Sequence, residues 1–212
     1  MNTPLPYLYL ITDRHQFQNN ELFLETIEEL LKAGVKMIQL REKDLSAADL
    51  YLLAKGLRSL THHYDSLLLI NDRVDLALAI NADGVHLGNH SLPIKAARKI
   101  LGTKFLIGAS THSATEIELA QQQGADFITY GPIYFTPSKA AYGNPVGIES
   151  LQNVCTNTSI PVYALGGIKE DNAAETLTAG AYGIAMISAL LSAPSPTRAY
   201  QKISKHIESA KK

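Results

Sequence analysis

Short apolar runs that end in polar residues alternate along this chain with longer stretches whose apolar positions recur every three or four residues. Tyr7 to Asp13, Y-L-Y-L-I-T-D, is the first such run and reads as a buried strand. In Glu21 to Lys32, Leu22, Phe23, Ile27, Leu30 and Leu31 share one helical stripe, with Gly34 as the stop. Val35 to Lys43, V-K-M-I-Q-L-R-E-K, starts as a strand covered on both faces and ends in concentrated charge. A helix from about Ala47 to Tyr64 follows, with Ser46 as its N-cap, and Ser66 to Asp72 makes a third strand. The alternation continues with a short helix near Val74 to Ile80, a strand at Gly84 to Gly88, a helix from Leu92 to Ile100 and a strand at Phe105 to Ser110. Next come a helix through Glu116 to Gln123 that stops at Gly124, and a strand at Phe127 to Ile133. After a longer loop the pattern predicts a helix over Ile148 to Asn157, a strand over Pro161 to Gly167, a helix over Asn172 to Ala179, a strand over Tyr182 to Ser188 and a last helix over roughly Thr197 to Ala210.

Strict alternation of strand and helix requires parallel strands joined by right-handed crossovers. Eight such pairs, with short connections and no compositional break, point to a closed (β/α)8 TIM barrel spanning residues 1–212 as a single α/β domain. The competing architecture, an open doubly wound sheet, more often has roughly five to seven strands at this length. In a barrel, every residue just after a strand faces one mouth, where ligand sites sit.

Two groupings at those strand ends suit anions. Gly166 and Gly167 at the end of the seventh strand, with Ile187 and Ser188 at the end of the eighth, offer close backbone approach and lead into helix N-termini for a phosphate; the plainer reading is a tight turn. Arg41 and Lys43 after the second strand, with Thr136, Ser138 and Lys139 beyond the sixth, suit a strongly anionic group such as a diphosphate; the plainer reading is a scatter of solvated charges. Asp72 is the metal ligand to expect if a diphosphate brings Mg2+, although Asp after a strand is also a common helix cap. His112 can transfer a proton or bind a phosphate, and a histidine there is structural about as often. His86 is expected to point into the barrel and pack.

Composition removes other classes. Hydrophobic residues at 46% and charged residues at 18% of 212 describe an ordinary folded protein. A net charge of -1 without a long basic run leaves no electrostatic footprint for nucleic acid. No stretch has the eighteen or so apolar residues of a membrane span, and the start lacks a signal pattern, so a cytoplasmic location is expected. The one cysteine, Cys155, reads as a packing residue in a helix.

Y-L-I-T-D, Q-L-R-E-K, I-N-D-R-V-D-L-A-L, A-D-G-V-H-L-G, G-A-S-T-H-S, G-A-D-F-I-T-Y-G-P-I-Y-F-T-P-S-K, A-L-G-G-I and G-I-A-M-I-S-A occur in this order, and over nearly the whole chain the sequence resembles the thiamine phosphate synthase and TenI family. The resemblance implies a TIM barrel that joins 4-amino-5-hydroxymethyl-2-methylpyrimidine diphosphate to a thiazole phosphate and releases pyrophosphate. It further implies that Arg41, Lys43, Asn71, Asp72, Ser110, Thr136, Ser138 and Lys139 surround the diphosphate and its Mg2+, that Gln39 meets the pyrimidine, and that Gly167, Ile187 and Ser188 hold the thiazole phosphate. One departure stands out. Synthases of the family usually continue A-D-G-V-H-L-G with Q-x-D, whose Asp is a second Mg2+ ligand, whereas this chain has Asn89, His90 and Ser91. The TenI branch, which isomerises a thiazole phosphate carboxylate tautomer with a histidine at the position of His112, lacks that Asp too. Intact R-E-K, Asn71 with Asp72, and Thr-x-Ser-Lys favour the synthase. A non-catalytic barrel that binds a thiazole or thiamine phosphate and regulates is the third reading. The pattern is compatible with a homo-oligomer and does not fix the oligomeric state.

Overall fold

The computed structural model describes residues 4–137 and 144–211. Eight strands pair in parallel in chain order and the eighth closes on the first, giving the expected TIM barrel: β1 (Leu8–Ile11), β2 (Met37–Leu40), β3 (Leu67–Asn71), β4 (Gly84–Leu87), β5 (Leu106–Thr111), β6 (Phe127–Tyr130), β7 (Val162–Leu165) and β8 (Gly183–Met186). Between and after them run α1 (Asn20–Ala33), α2 (Ala47–His63), α3 (Val74–Ala79), α4 (Ile94–Leu101), α5 (Ala114–Gln122), α6 (Gly147–Asn157), α7 (Glu170–Thr178), α8 (Ser188–Leu191) and α9 (Pro196–Ala210).

The strands read as continuous apolar runs because both of their faces are buried. Successive side chains alternate: Leu8, Leu10, Ile38, Leu40, Leu68 and Ile70 face the helices, while Tyr9, Ile11, Met37, Leu69, Phe127 and Tyr163 fill the barrel interior. Each such aliphatic or aromatic side chain contributes about 1.5–3 kcal/mol by leaving water, so the apolar layers fix register, and register decides which polar residues end up inside. The caps expected from sequence are present: Ser46 Oγ accepts from the Asp49 N–H at 3.1 Å, and Gly34 closes α1 in a left-handed conformation.

The differences lie at element ends. The sixth strand stops at Tyr130 instead of Ile133, where Pro132 has no N–H to give the ladder. The seventh ends at Leu165, because Gly166 and Gly167 turn with φ of 99° and 66°. The eighth ends at Met186, and Ser188 opens α8, a four-residue helix that the expected strand had absorbed. A 3-10 turn over Arg14–Gln16, capped by Asp13, was also not expected. Among the described residues no helix is long and apolar enough to cross a membrane.

Candidate active site at the barrel mouth

Beneath the mouth lies an enclosed polar chain. Gln39, the last inward-facing residue of β2, donates from Nε2 to the Tyr9 hydroxyl at 2.9 Å, and that hydroxyl lies 3.3 Å from His86 Nδ1. His86 Nε2 is 3.0 Å from Ser110 Oγ, with Thr129 Oγ1 at 3.5 Å. Tyr9, Gln39, His86 and Thr129 are all buried. The ring of His86 fits because β5 carries Gly108 opposite it: a Cβ there would fall 2.6 Å from His86 Nδ1 and 2.3 Å from the Phe127 ring. Burial pushes the imidazole down to about 3, with Arg41 lowering it further and Asp72 opposing, so the ring is neutral across the physiological range. The expectation that His86 packs inside is met, and hydrogen bonds come with it.

Above this floor stands the rim. Asp72 follows β3 at φ 61°, a left-handed conformation that Asp tolerates better than most residues. Its carboxylate accepts from Asn71 Nδ2 at 2.6 Å and from the Ser91 hydroxyl, while Ser91 Oγ itself accepts from the Gly88 N–H at 2.6 Å. The alternative role for Asp72 as a helix cap is not seen, since no side chain caps α3. At the position where a second carboxylate was expected, the serine donates to the first.

The charged run after β2 divides. Arg41 is half-buried and Lys43 exposed, but Glu42 turns under the rim, 5% exposed. It accepts from Thr12 Oγ1 at 2.6 Å and from the Arg14 N–H at 3.1 and 3.2 Å, while Thr12 Oγ1 accepts from the Arg41 N–H at 2.9 Å. Glu42 is thus a clamp between the ends of β1 and β2, and burial raises its carboxyl above the usual range despite the Thr12 and Arg14 bonds. His112, after β5, is exposed, with its N–H on Glu116 Oε2 at 2.6 Å and Nδ1 3.3 Å from the same oxygen. Asn89 Nδ2 donates to the other Glu116 oxygen at 2.9 Å. Partial burial raises Glu116, and these bonds outweigh it, leaving the carboxyl below its usual value.

Across the mouth, Thr136 is half-buried in the loop after β6, and Ser138 and Lys139 lie outside the described residues. In an eight-strand ring β2 and β6 stand opposite one another, so the turn that carries Arg41 and Lys43 lies across the opening from the loop that carries Thr136. Gly167 and Ile187 are half-buried and Ser188 exposed at the ends of β7 and β8. A Cβ on Gly167 would lie 2.6 Å from the Phe135 carbonyl oxygen, so this glycine is required by the close approach of the β6 loop, which supports the tight-turn reading without removing the phosphate one. Beside them a cavity of about 450 Å³ opens between α7 and α9, lined by Lys169, Ser188, Ser192 and Ile203 among others.

Sequence pattern missed Tyr9, Thr129, the clamp made by Glu42, and Glu116 behind His112. The two-residue alternation of β1 and β6 could have placed Tyr9 and Thr129 inside, but nothing local distinguishes Glu42 from its charged neighbours.

The thiamine monophosphate synthase family model (TMP-TENI) matches residues 8–190. A Geobacter sulfurreducens protein that carries a provisional thiamine-phosphate synthase name is 55% identical over 189 residues, which cover 89% of this chain and 88% of that one. A thiamine-phosphate synthase of Clostridium novyi is 44% identical over 184 residues, covering 87% of this chain and 90% of the relative. The solved thiamine phosphate pyrophosphorylase of Pyrococcus furiosus superposes with a TM-score of 0.86 at 38% identity, covering 96% of both chains. With its barrel, its mouth residues and a family match running from β1 into α8, the chain belongs to the thiamine monophosphate synthase family.

Proposed function

We propose that the protein is a transferase that joins a 4-amino-5-hydroxymethyl-2-methylpyrimidine diphosphate to a thiazole phosphate, forming thiamine phosphate and pyrophosphate. The observation that carries this reading is the Asp72 carboxylate, held by Asn71 and Ser91 at the mouth of a barrel that belongs to this family. Charged, phosphorylated halves of this kind do not cross membranes unaided, which favours a cytoplasmic location.

The donors around Asp72 suit Mg2+: one carboxylate, an amide and a hydroxyl are hard oxygen groups, and this ion characteristically takes one or two carboxylates and completes its sphere with phosphate oxygens and water. Among the described residues no group of three or more His, Cys, Asp or Glu gathers around a common point, and a cation held at Asp72 would take its remaining oxygens from substrate and water. Asp72 would hold it, with Asn71 and Ser91 beside it. When bound, the ion supplies positive charge to the leaving diphosphate.

As the bond between the pyrimidine methylene carbon and its diphosphate oxygen breaks, negative charge grows on the departing oxygens. Arg41 and Lys43 after β2, together with Lys139, stabilise that charge more than the ground state, which is what lowers the barrier. Gln39 and Ser110 orient the pyrimidine and its diphosphate, Thr136 and Ser138 contribute hydroxyls, and Gly167, Ile187 and Ser188 hold the thiazole phosphate so that the ring nitrogen meets the same carbon. No protein nucleophile is needed. The test supplies both phosphorylated halves with Mg2+ and follows pyrophosphate; its absence at any Mg2+ concentration removes the reading.

A second reading rests on the bond between Glu116 and His112 Nδ1, which leaves Nε2 for proton transfer. It makes the protein a tautomerase acting on a thiazole phosphate carboxylate, and the same assay with that tautomer alone decides it. Turnover of neither substrate set leaves a phosphate-binding regulator.

A further inference from the structure

Tyr9, Gln39 and His86 below the mouth carry no net charge and are enclosed, Tyr9 and His86 against the Phe127 ring, so water has little access to the bonds among them, and half-buried Ser110 ends the chain. Each link has limited capacity. The Tyr9 phenol has a single proton; accepting from Gln39 Nε2 at 2.9 Å, it donates to His86 Nδ1 at 3.3 Å. A neutral imidazole that accepts at Nδ1 carries its proton on Nε2, which donates to Ser110 Oγ at 3.0 Å. Direction at one end therefore sets direction at the other.

We propose that Tyr9 and His86 are positioning residues whose one-way hydrogen-bond chain fixes the groups that Gln39 and Ser110 turn toward the mouth, and thereby selects a 4-aminopyrimidine over its 4-oxo counterpart. The inference rests on the reading that Gln39 meets the pyrimidine. With one Nε2 hydrogen committed to Tyr9, the Gln39 amide retains its carbonyl oxygen and its second N–H, an acceptor beside a donor. The aminopyrimidine edge offers the complement, an amino donor next to a ring-nitrogen acceptor. The 4-oxo form reverses both. Were the chain to run the other way, Tyr9 would donate to the Gln39 carbonyl and leave only N–H groups for the ligand. At the other end, Ser110 accepts from His86 and so keeps its own proton to donate to a diphosphate oxygen.

The experiment compares kcat/KM for the 4-amino and 4-oxo forms of 5-hydroxymethyl-2-methylpyrimidine diphosphate, read as pyrophosphate release with thiazole phosphate and Mg2+. The wild-type protein should prefer the amino form by about 10²-fold or more, since the mismatched analogue leaves polar groups unpaired in a closed site. Tyr9→Phe releases the amide and should cut that preference by about tenfold or more. The intrinsic reactivities of the two pyrimidines are common to both proteins, so the change in ratio isolates recognition. A Tyr9→Phe protein that loses activity equally on both substrates overturns the proposal, because a merely packing role predicts that result. Nitrogen-15 NMR of the wild-type protein gives a second reading that needs no variant to fold: His86 protonated on Nε2 with Nδ1 bare supports the chain, and the opposite tautomer overturns it. Should the wild-type protein turn over neither pyrimidine, the functional reading falls, and the tautomer still decides the direction of the chain.

Discussion

At the floor of the mouth Tyr9, Gln39 and His86 are enclosed and hydrogen-bonded to one another, whereas at the rim Lys43, His112 and Ser188 stand exposed and Asp72 and Arg41 are half-buried. The floor uses neutral groups because an ion there would lose its hydration with nothing to replace it. The rim can hold ions, since water and ligand share their solvation. In the proposed function the floor sets orientation and the rim supplies charge. On that division, variants of the rim should change rate or ion binding with little effect on folding, and variants of enclosed groups should change stability or the choice between substrates.

The largest effect is expected at Asp72. Asp72→Ala should lower pyrophosphate release by about 10²–10³-fold, the loss typical of a group aimed at transition-state charge, while the melting temperature shifts by no more than a few degrees. A collapse of the fold instead would move Asp72 into the structural class.

Glu42 sharpens the comparison, because it sits in the charged run of the rim yet is buried. Glu42→Ala leaves the Thr12 hydroxyl and the Arg14 N–H without their acceptor, and should cost about 3 kcal/mol of unfolding free energy in denaturant titrations. An unchanged midpoint would place Glu42 with the solvated charges.

His86 gives the floor a pH signature. Its folded value of about 3 lies below its usual 6.5, so below pH 6.5 the unfolded chain binds the extra proton and stability falls as pH falls, by about 1.4 kcal/mol per unit until about pH 3. Between pH 7 and pH 5 the loss is about 2 kcal/mol. Glu42 runs the other way: its raised carboxyl favours the fold in acid and that contribution is lost as pH rises through its folded value. Comparing the slope with that of His86→Gln cancels Glu42, and equal slopes in the two proteins would contradict the assignment.

Ser91→Asp restores the carboxylate expected from the family. Without metal, two facing carboxylates repel and should lower the melting temperature; with Mg2+, the second anionic ligand should tighten binding about tenfold in a calorimetric titration. The smallest effect is expected at His112, which is exposed: His112→Ala should alter pyrophosphate release only a few-fold, and a complete loss confined to tautomer conversion would transfer the assignment to the isomerase.

The order and type of the paired elements were legible because buried parallel strands and amphipathic helices leave unlike periods, two and 3.6, in a chain of ordinary composition. Asp72, Gln39 and Ser110 were legible as polar ends of apolar runs. The ends of the strands were less so: whether Ser188 finishes β8 or begins α8 depends on backbone turns at Ile187 that side-chain hydrophobicity does not record. Glu42 illustrates the deeper limit. Arg41, Glu42 and Lys43 are equally charged in sequence, and only the neighbouring strand decides that Thr12 and Arg14 meet the middle one.

Sequence alone determined that eight parallel strands would close into a barrel and that polar residues would gather where they end, since both follow from local period and burial. Only the tertiary structure decided which of those residues touch: Tyr9 with His86 are 77 positions apart, and Ser91 with Asp72 come from different loops. The physical reason is that hydrogen bonds act within about 3 Å and in fixed directions, so they are settled by the register and closure of strands distant in the chain, which no local pattern encodes.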